Sequence, residues 1–280
     1  MPPVPVAPGR PRRAGLGLGL AALLVAVAPA AAGEGPEGGD AGLALQLSNP
    51  VAALISVPIQ QNFDFGLGAD GRGRTSRTNV QPVIPFRLND DWSLISRTIL
   101  PVVGQDGVTA PGASQFGLGD TVQSLFLSPR RAGRLIWGAG PVFLLPTGTD
   151  RALGTGKWGI GPTAVVLRQS PNGVTVGMLA NHIWSVAGSS SRADVSATLL
   201  QPFATLTTRQ ATTFGFNLEA ARDWERDQWI IPANLSVAQL VKLGRQPAQI
   251  GGGLCDYLES PSGGPDWGFR LSLTLLFPAG

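Results

Sequence analysis

The 280-residue sequence is poor in cysteine, histidine, tyrosine and charge, with one residue of each of the first three and only 14% charged residues. A lone cysteine, Cys255, forms neither an intrachain disulfide nor a cysteine-based metal site. A lone histidine, His182, excludes metal hydrolases that use several histidine ligands, so we expect no metal and no cofactor. A charged fraction about half the usual 25% also argues against an ordinary cytosolic domain.

The mature chain also lacks any apolar run near the roughly 20 residues that a membrane-spanning helix needs, which excludes a helical membrane protein. The formal net charge of +3 comes from the N-terminus. Basic residues at 10–13, an apolar stretch at 14–28 and small residues at 30–32 have the layout of a secretory signal peptide. We predict a signal peptide at 1–32. Because its removal leaves a neutral chain, we expect no nucleic-acid partner.

The start of the mature chain is predicted to be a linker followed by a short helix. Residues 33–42, GEGPEGGDAG, are polar and glycine-rich, so 33–48 is interpreted as a flexible periplasmic linker. Ser48-Asn49-Pro50 offers an N-cap and a proline suited to the first helical position, and apolar residues follow. The motif predicts a helix at 49–56.

From residue 57 to 280 the chain repeats strand and turn signals. Runs of about 11 to 15 residues, rich in β-branched, aliphatic and aromatic types, alternate with clusters of Gly, Asn, Asp, Ser and Pro. Such runs are long for soluble strands but suit tilted membrane strands, which need roughly 9 to 11 residues within the hydrocarbon. Twelve strands are predicted, with starts near residues 57, 75, 92, 115, 134, 158, 173, 194, 211, 228, 247 and 266.

The last run alternates most clearly between an apolar and a polar face. Aromatic residues at both ends of its apolar face match the two interfacial girdles of an outer-membrane barrel. Four other runs alternate in the same way, but seven alternate poorly, which leaves open a soluble β-sandwich with a dry core. The girdle candidates are Trp92, Trp158, Trp229, Trp267, Phe269 and Phe277.

The connections between runs supply an independent argument. Those after odd-numbered runs average roughly 8 residues and those after even-numbered runs about 4, like the long outer loops and short periplasmic turns of outer-membrane barrels. Both chain ends then lie on the periplasmic side. The predicted fold is all-β: a transmembrane antiparallel β-barrel of about twelve strands, with a short N-terminal helix, in a Gram-negative outer membrane.

Prolines within the predicted strands conflict with a regular barrel, because each lacks the backbone N–H that would donate an interstrand hydrogen bond. We expect bulges, rim positions or strands broken into shorter pieces. Gly138-x-Gly140-Pro141 and Gly159-x-Gly161-Pro162 are predicted to face each other. The prolines concerned are Pro82, Pro85, Pro101, Pro141, Pro162, Pro202 and Pro232.

Five segments carry a family resemblance: SNPVAALISVPIQQNFDFGLG, NVQPVIPFRLNDDWSLISRTILPV, SQFGLGDTVQSLFLSP, WGAGPVFLLPTGTD and NHIWSVAG. Through them the chain, from about Ser48 to Phe277, resembles the outer-membrane barrels grouped under the name meta-pathway of phenol degradation, which are described as transporters. The in-strand prolines belong to the resemblance. It implies an outer-membrane location and a transport role.

Polar residues opposite the aromatic face are candidates for lining a wet lumen. Charges are tolerated there when they meet water or pair with one another. Twelve strands suggest a pore narrower than that of 16-stranded porins, and the helix predicted at 49–56 would occupy part of it. The candidates are Asp64, Arg77, Asn79, Gln81, Arg97, Asn217, Glu219, Asn234 and Arg270.

The function predicted from these features is a porin-like channel that admits a small solute, hydrophobic or aromatic in type, without energy coupling. Its partners would be that solute, outer-membrane lipid and lipopolysaccharide. Arg72, Arg74 and Arg77 are candidates to contact lipopolysaccharide phosphates from an outer loop; the alternative is a solvated loop. The oligomeric state stays open. The second hypothesis is a non-transporting barrel, braced by its inner polar network or binding partners through its loops, which a blocked lumen would favour.

The third hypothesis is a barrel hydrolase acting on lipid, with His182 as base, Ser185 as nucleophile and Glu219 or Asp223 as the acidic member. Residues three apart on a strand face opposite sides, which argues against a direct His182–Ser185 pair. We therefore expect no enzymatic activity. A serine hydroxyl within hydrogen-bond reach of His182 would reverse that expectation.

Overall fold

The computed structural model describes residues 39–131 and 133–277. The predicted signal peptide and linker residues 33–38 lie outside this part. The described chain comprises one helix, α1 (Gly39–Leu47), and fifteen strands, and it has no helix with the length and apolarity needed to cross a membrane. The strands are β1 (Ile55–Leu67), β2 (Gly73–Val80), β3 (Val83–Arg87), β4 (Trp92–Asp106), β5 (Ser114–Leu118), β6 (Thr121–Pro129), β7 (Ile136–Leu145), β8 (Lys157–Gln169), β9 (Val174–Gly188), β10 (Ser196–Thr207), β11 (Thr212–Leu218), β12 (Ala220–Asp223), β13 (Gln228–Leu243), β14 (Gln246–Glu259) and β15 (Trp267–Phe277).

The strands form one antiparallel sheet that closes on itself. β1 pairs with β15 along its length, and β9 pairs with β10, so the sheet has no free edge. β2 and β3, β5 and β6, and β11 and β12 are halves of three long strands, which makes twelve strands around the barrel. The predicted fold class is confirmed, and the β-sandwich alternative is wrong. Each of the twelve barrel strands starts within two residues of its predicted start.

Prolines account for several of the irregularities. Pro82 lies between β2 and β3, and the carbonyl of Pro232 accepts a hydrogen bond from the backbone N–H of Glu219, the residue between β11 and β12. Pro141 and Pro162 pair directly across β7 and β8, as predicted. A Cβ at Gly161 would lie 1.7 Å from the carbonyl oxygen of the neighbouring β9, so the strands approach closely enough there to require glycine.

The two ends of the barrel differ. We call the end with Ile55 and Phe277 the terminal end, and the opposite one the loop end. The longest connection, residues 146–156, lies at the loop end and the shortest, residues 244–245, at the terminal end. The outer face between the two ends carries exposed apolar side chains on alternate residues, such as Val176 in β9, which is the surface expected of a membrane barrel.

The helix lies earlier in the chain than predicted. α1 ends at Leu47, and the prediction of a helix at 49–56 is wrong, as is a flexible linker over 39–47. The Asn49 side chain accepts a hydrogen bond from the Val51 N–H at 3.0 Å, which forms a turn. Pro50 disfavours helical geometry at the residue before it. The Ser48-Asn49-Pro50 motif therefore closes a helix instead of opening one.

α1 packs inside the terminal end of the barrel. Ala44 is completely buried in a cluster with Ala211, Leu240 and Leu276, which all lie at or near that end. The Gln169 side-chain amide donates a hydrogen bond to the carbonyl of Leu45 in the helix at 2.8 Å. The N-terminal segment, defined here as residues 39–54, therefore occupies part of the lumen.

Candidate functional site

The inner face of the barrel carries a polar network on one side. The Arg270 guanidinium donates to the Asn62 side-chain oxygen at 2.6 Å and to the Glu219 carboxylate at 3.2 Å. Asn217 donates to the same Glu219 oxygen at 3.2 Å. Three candidate residues are thus brought together: Asn217 and Glu219, which are neighbours in the chain, and the distant Arg270. Asn62 was not among the candidates, although alternation along β1 places it on the same face as Asp64.

A second group of hydrogen bonds surrounds Arg97. Its guanidinium donates to the Gln81 side-chain oxygen at 2.9 Å, and the Gln81 amide donates to Gln60 at 2.8 Å. Asn79 lies on the same inner face, since it pairs in register with Gln60. The Gln60 and Gln81 contact therefore fixes the amide orientation that Arg97 meets.

The remaining candidates also lie on the inner face. Asp64 accepts a hydrogen bond from the hydroxyl of Tyr257 at 2.9 Å, a partner that the sequence analysis missed. Arg77 pairs in register with Asn62, and its side chain is exposed within the lumen. Asn234 is buried, and its amide nitrogen has no hydrogen-bond partner in the described part of the chain.

An inner cavity of about 330 Å³ lies between this polar face and the N-terminal segment. Five of the nine candidates contribute to its wall: Gln81, Arg97, Asn217, Asn234 and Arg270. Asp64, Arg77, Asn79 and Glu219 do not. Apolar side chains complete the wall on the other side: Leu54, Val83, Leu179 and Phe203.

The other half of the lumen is filled by apolar side chains. Val51 of the N-terminal segment packs there against a cluster that includes Ile95, Phe126 and Leu179. These side chains alternate with outward ones on their strands, so they point into the barrel and exclude water from that half. The inner cavity lies between this apolar cluster and the polar side, with Leu179 contributing to both.

A second, outer cavity of about 590 Å³ lies at the loop end, beneath the connections 146–156 and 189–195. Arg151, Arg192 and Arg226 contribute to its wall. Arg151 and Arg192 donate to backbone carbonyls, which leaves their charge unneutralised by a carboxylate. The outer cavity is therefore a mouth of the barrel whose wall holds three arginines and two aspartates.

The carboxylates at this mouth are already engaged. Asp120 accepts hydrogen bonds from the backbone N–H groups of Gly148 and Thr155 at 3.1 and 2.6 Å. Asp194, in the 189–195 connection, pairs with Lys157 at 2.8 Å. The hydrogen bond from Lys157, assisted by one from Ser185, holds the pKa of Asp194 below its ordinary value.

The girdle candidates are on the outer face at both ends of the barrel. Trp92 and Phe277 lie at the terminal end, where the Trp92 ring meets Trp137 at 6.0 Å between centroids. Trp158, Trp229 and Trp267 lie at the loop end, and Phe269 one level below. Trp267 and Phe269 stack on the β1 aromatics Phe65 and Phe63, each at 4.7 Å.

The hydrolase arrangement is not formed. His182 lies on the outer face, and its Nδ1 is 2.7 Å from the hydroxyl of Thr198. The Ser185 hydroxyl instead donates to Asp194 at 3.1 Å, and Asp223 pairs with Arg226 at 2.7 Å. No serine in the described ranges hydrogen-bonds with His182, because positions 182 and 185 face opposite sides of β9. Nor do those ranges hold a group of three or more His, Cys, Asp or Glu side chains suited to a metal ion.

The three arginines considered as lipopolysaccharide contacts lie near the loop end but not on one face of the barrel. Arg74 points outward and pairs with Asp106 at 3.1 Å, whereas Arg77, three residues later, points into the lumen. Arg72 lies in the turn before β2. Residues of odd spacing on a strand point to opposite faces, so the barrel wall separates Arg74 from Arg77, and contact with lipopolysaccharide stays a prediction.

Comparison with known structures finds this fold in an outer-membrane channel. The COG4313 outer membrane channel from Pseudomonas putida F1 superposes with a TM-score of 0.63 at 15% identity, over 80% of this chain and 96% of that one. The NanC porin has a TM-score of 0.49 at 7% identity, over 79% and 99%. The KdgM porin in complex with disordered oligogalacturonate has a TM-score of 0.46 at 10% identity, over 80% and 99%. No protein-family model and no curated protein sequence matches the chain.

The match to the COG4313 channel, at 15% identity, shows a shared fold and nothing finer. The family named from the sequence motifs therefore remains a resemblance.

Proposed function

We propose that the protein is an outer-membrane channel through which a small solute diffuses passively. The exposed apolar band between two levels of aromatic side chains is the surface that lipid would cover. The terminal end faces the periplasm in this proposal, and the loop end faces the outside. Export would depend on the signal peptide at 1–32.

The observation that carries the proposal is the inner cavity within a closed barrel. A barrel that served only as a scaffold would gain by filling its lumen, since unfilled space forfeits packing contacts. Here about 330 Å³ remains open beside charged and amide side chains. Lumen residues would select solutes by size and charge, and concentration gradients would drive the flux.

The solute we propose is small and partly apolar. Leu179 and Phe203 present apolar surface to the same cavity in which Gln81 and Arg97 present polar groups. A wall of this mixed type suits an organic molecule with an apolar body better than a hydrated inorganic ion alone.

Single-channel conductance in a planar bilayer tests the proposal. The wild type should give discrete current steps. Arg97→Ala should lower the preference for anions, and Glu219→Ala should raise it, because each removes one charge from the inner network. Arg87→Ala is the matched control, since Arg87 is exposed near the terminal end, where it pairs with Asp90. If the protein folds into a heat-modifiable barrel but gives no current steps, the proposal is wrong.

A closed, non-transporting barrel is the second candidate. It is favoured by the N-terminal segment, which fills part of the terminal end through Ala44 and Val51. If the wild type and a variant lacking residues 39–52 both fail to conduct, this second function replaces the first.

A further inference from the structure

The inner cavity contains an arginine with no carboxylate partner. Arg270 is paired with Glu219, but the side chain of Arg97 has one hydrogen-bond partner, the Gln81 amide oxygen, among the residues the structure describes. A guanidinium carries five N–H donors, and a charge held away from bulk water is costly unless it is paired. The Glu219 carboxylate attracts Arg97 without a hydrogen bond, so the free donors of Arg97 are available to an anion that enters the cavity.

A second donor in the same cavity also lacks a partner. The side-chain nitrogen of Asn234 is buried without a hydrogen bond within residues 39–131 and 133–277, and Asn234 is only 6% exposed. Buried donors of this kind are uncommon and point to an occupant that accepts hydrogen bonds. Asn234 and Arg97 both line the cavity, whereas no aspartate or glutamate does.

The rest of the wall limits the size and character of that anion. Part of the wall is apolar and consists of Leu54, Val83, Leu179 and Phe203. An inorganic anion would make no favourable contact with these side chains. A volume of about 330 Å³ is at the lower end of the range typical of small-molecule sites. The occupant should have one acidic group and one compact apolar body.

The outer cavity supports the same charge preference. Its wall holds three arginines against two aspartates, and neither Arg151 nor Arg192 pairs with a carboxylate. This excess of arginine favours the approach of anions. We propose that the inner cavity is a binding site for small organic carboxylates. The carboxylate would accept hydrogen bonds from Arg97 and, on rotation of its side-chain amide toward the cavity, from Asn234, and the apolar body would pack against Leu179 and Phe203. This inference rests on the proposed channel function and names its solute class.

Calorimetric titration of the detergent-solubilised protein tests the inference with benzoate as the acidic probe and benzyl alcohol as its neutral counterpart. The wild type should bind benzoate and not benzyl alcohol. Arg97→Gln should weaken benzoate binding by about tenfold or more, since it removes a charge-assisted hydrogen bond. Arg87→Gln, which removes an exposed arginine far from the cavity, should leave benzoate binding unchanged.

Block of the single-channel current by benzoate, measured on the same proteins, separates this inference from the channel proposal. The carboxylate site is wrong, and the channel stands, if benzoate and benzyl alcohol reduce the current equally. The same holds if benzoate blocks Arg97→Gln as strongly as it blocks the wild type. Benzoate binding that depends on Arg97 in a barrel without current steps would keep the site and overturn the channel. Heat-modifiability on a gel shows that each variant has folded.

Discussion

The N-terminal segment should act as a removable obstruction of the lumen, and Val51→Asp is the change that tests this most sharply. Val51 is 6% exposed and packs against Phe126 and other lumen side chains. Burying a valine contributes roughly 1.5–3 kcal/mol. The Gln169 hydrogen bond to α1 adds about 1 kcal/mol. Lys242 also pairs with Asp40 of α1 at 3.5 Å, and this exposed pair adds at most about 1 kcal/mol.

The substitution should therefore release the segment. It removes the valine contribution and places a carboxylate in an apolar cluster, which costs further free energy. Even a loss of about 3 kcal/mol changes the ratio of docked to undocked segment by about 100-fold. We expect a larger single-channel conductance for Val51→Asp than for the wild type, measured in the same bilayer and salt.

Ala53→Asp provides the matched control, because it adds the same charge two residues away at an exposed position. Its conductance should stay near that of the wild type. Unchanged conductance in Val51→Asp, or an equal increase in both variants, would refute the idea that the packed segment limits the pore.

Three further predictions follow from individual contacts. Glu219→Gln should shift the reversal potential in a salt gradient toward stronger anion selectivity, because it leaves Arg270 without its carboxylate. The Lys157–Asp194 contact should persist at neutral pH and weaken as the pH falls through the lowered pKa of Asp194, which hydrogen exchange of the 189–195 connection would detect. Gly161→Ala should abolish the heat-modifiable form on gels, since its Cβ would overlap a carbonyl of β9; a normally folding variant would contradict the close approach.

The strand pattern was predictable because it is local. Long β-rich runs separated by turn residues place each strand start within two residues, and the short connections fix the antiparallel order. The helix was misplaced because its apolar residues follow a glycine-rich stretch. Its stability comes from packing of Ala44 inside the barrel, which no local signal reveals.

The site was only partly predictable for a related reason. Alternation along a strand identifies inward residues, and this placed Arg97 and Arg270 on the inner face. It does not identify which of them meet, because the contact of Arg270 with Glu219 joins residues 51 positions apart. Tyr257 was missed because it follows the weakly alternating stretch Gly251 to Gly253.

The central claim is that water and solute reach the polar face of the lumen, and thiol labelling during current recording tests it directly. In a Cys255→Ser background, Ser236→Cys places a thiol at an exposed inner position lining the cavity, and Val237→Cys places one on the adjacent outer face. A charged, membrane-impermeant thiol reagent should reduce the current of Ser236→Cys and leave that of Val237→Cys unchanged. Equal effects on both variants, or none on Ser236→Cys, would contradict the account.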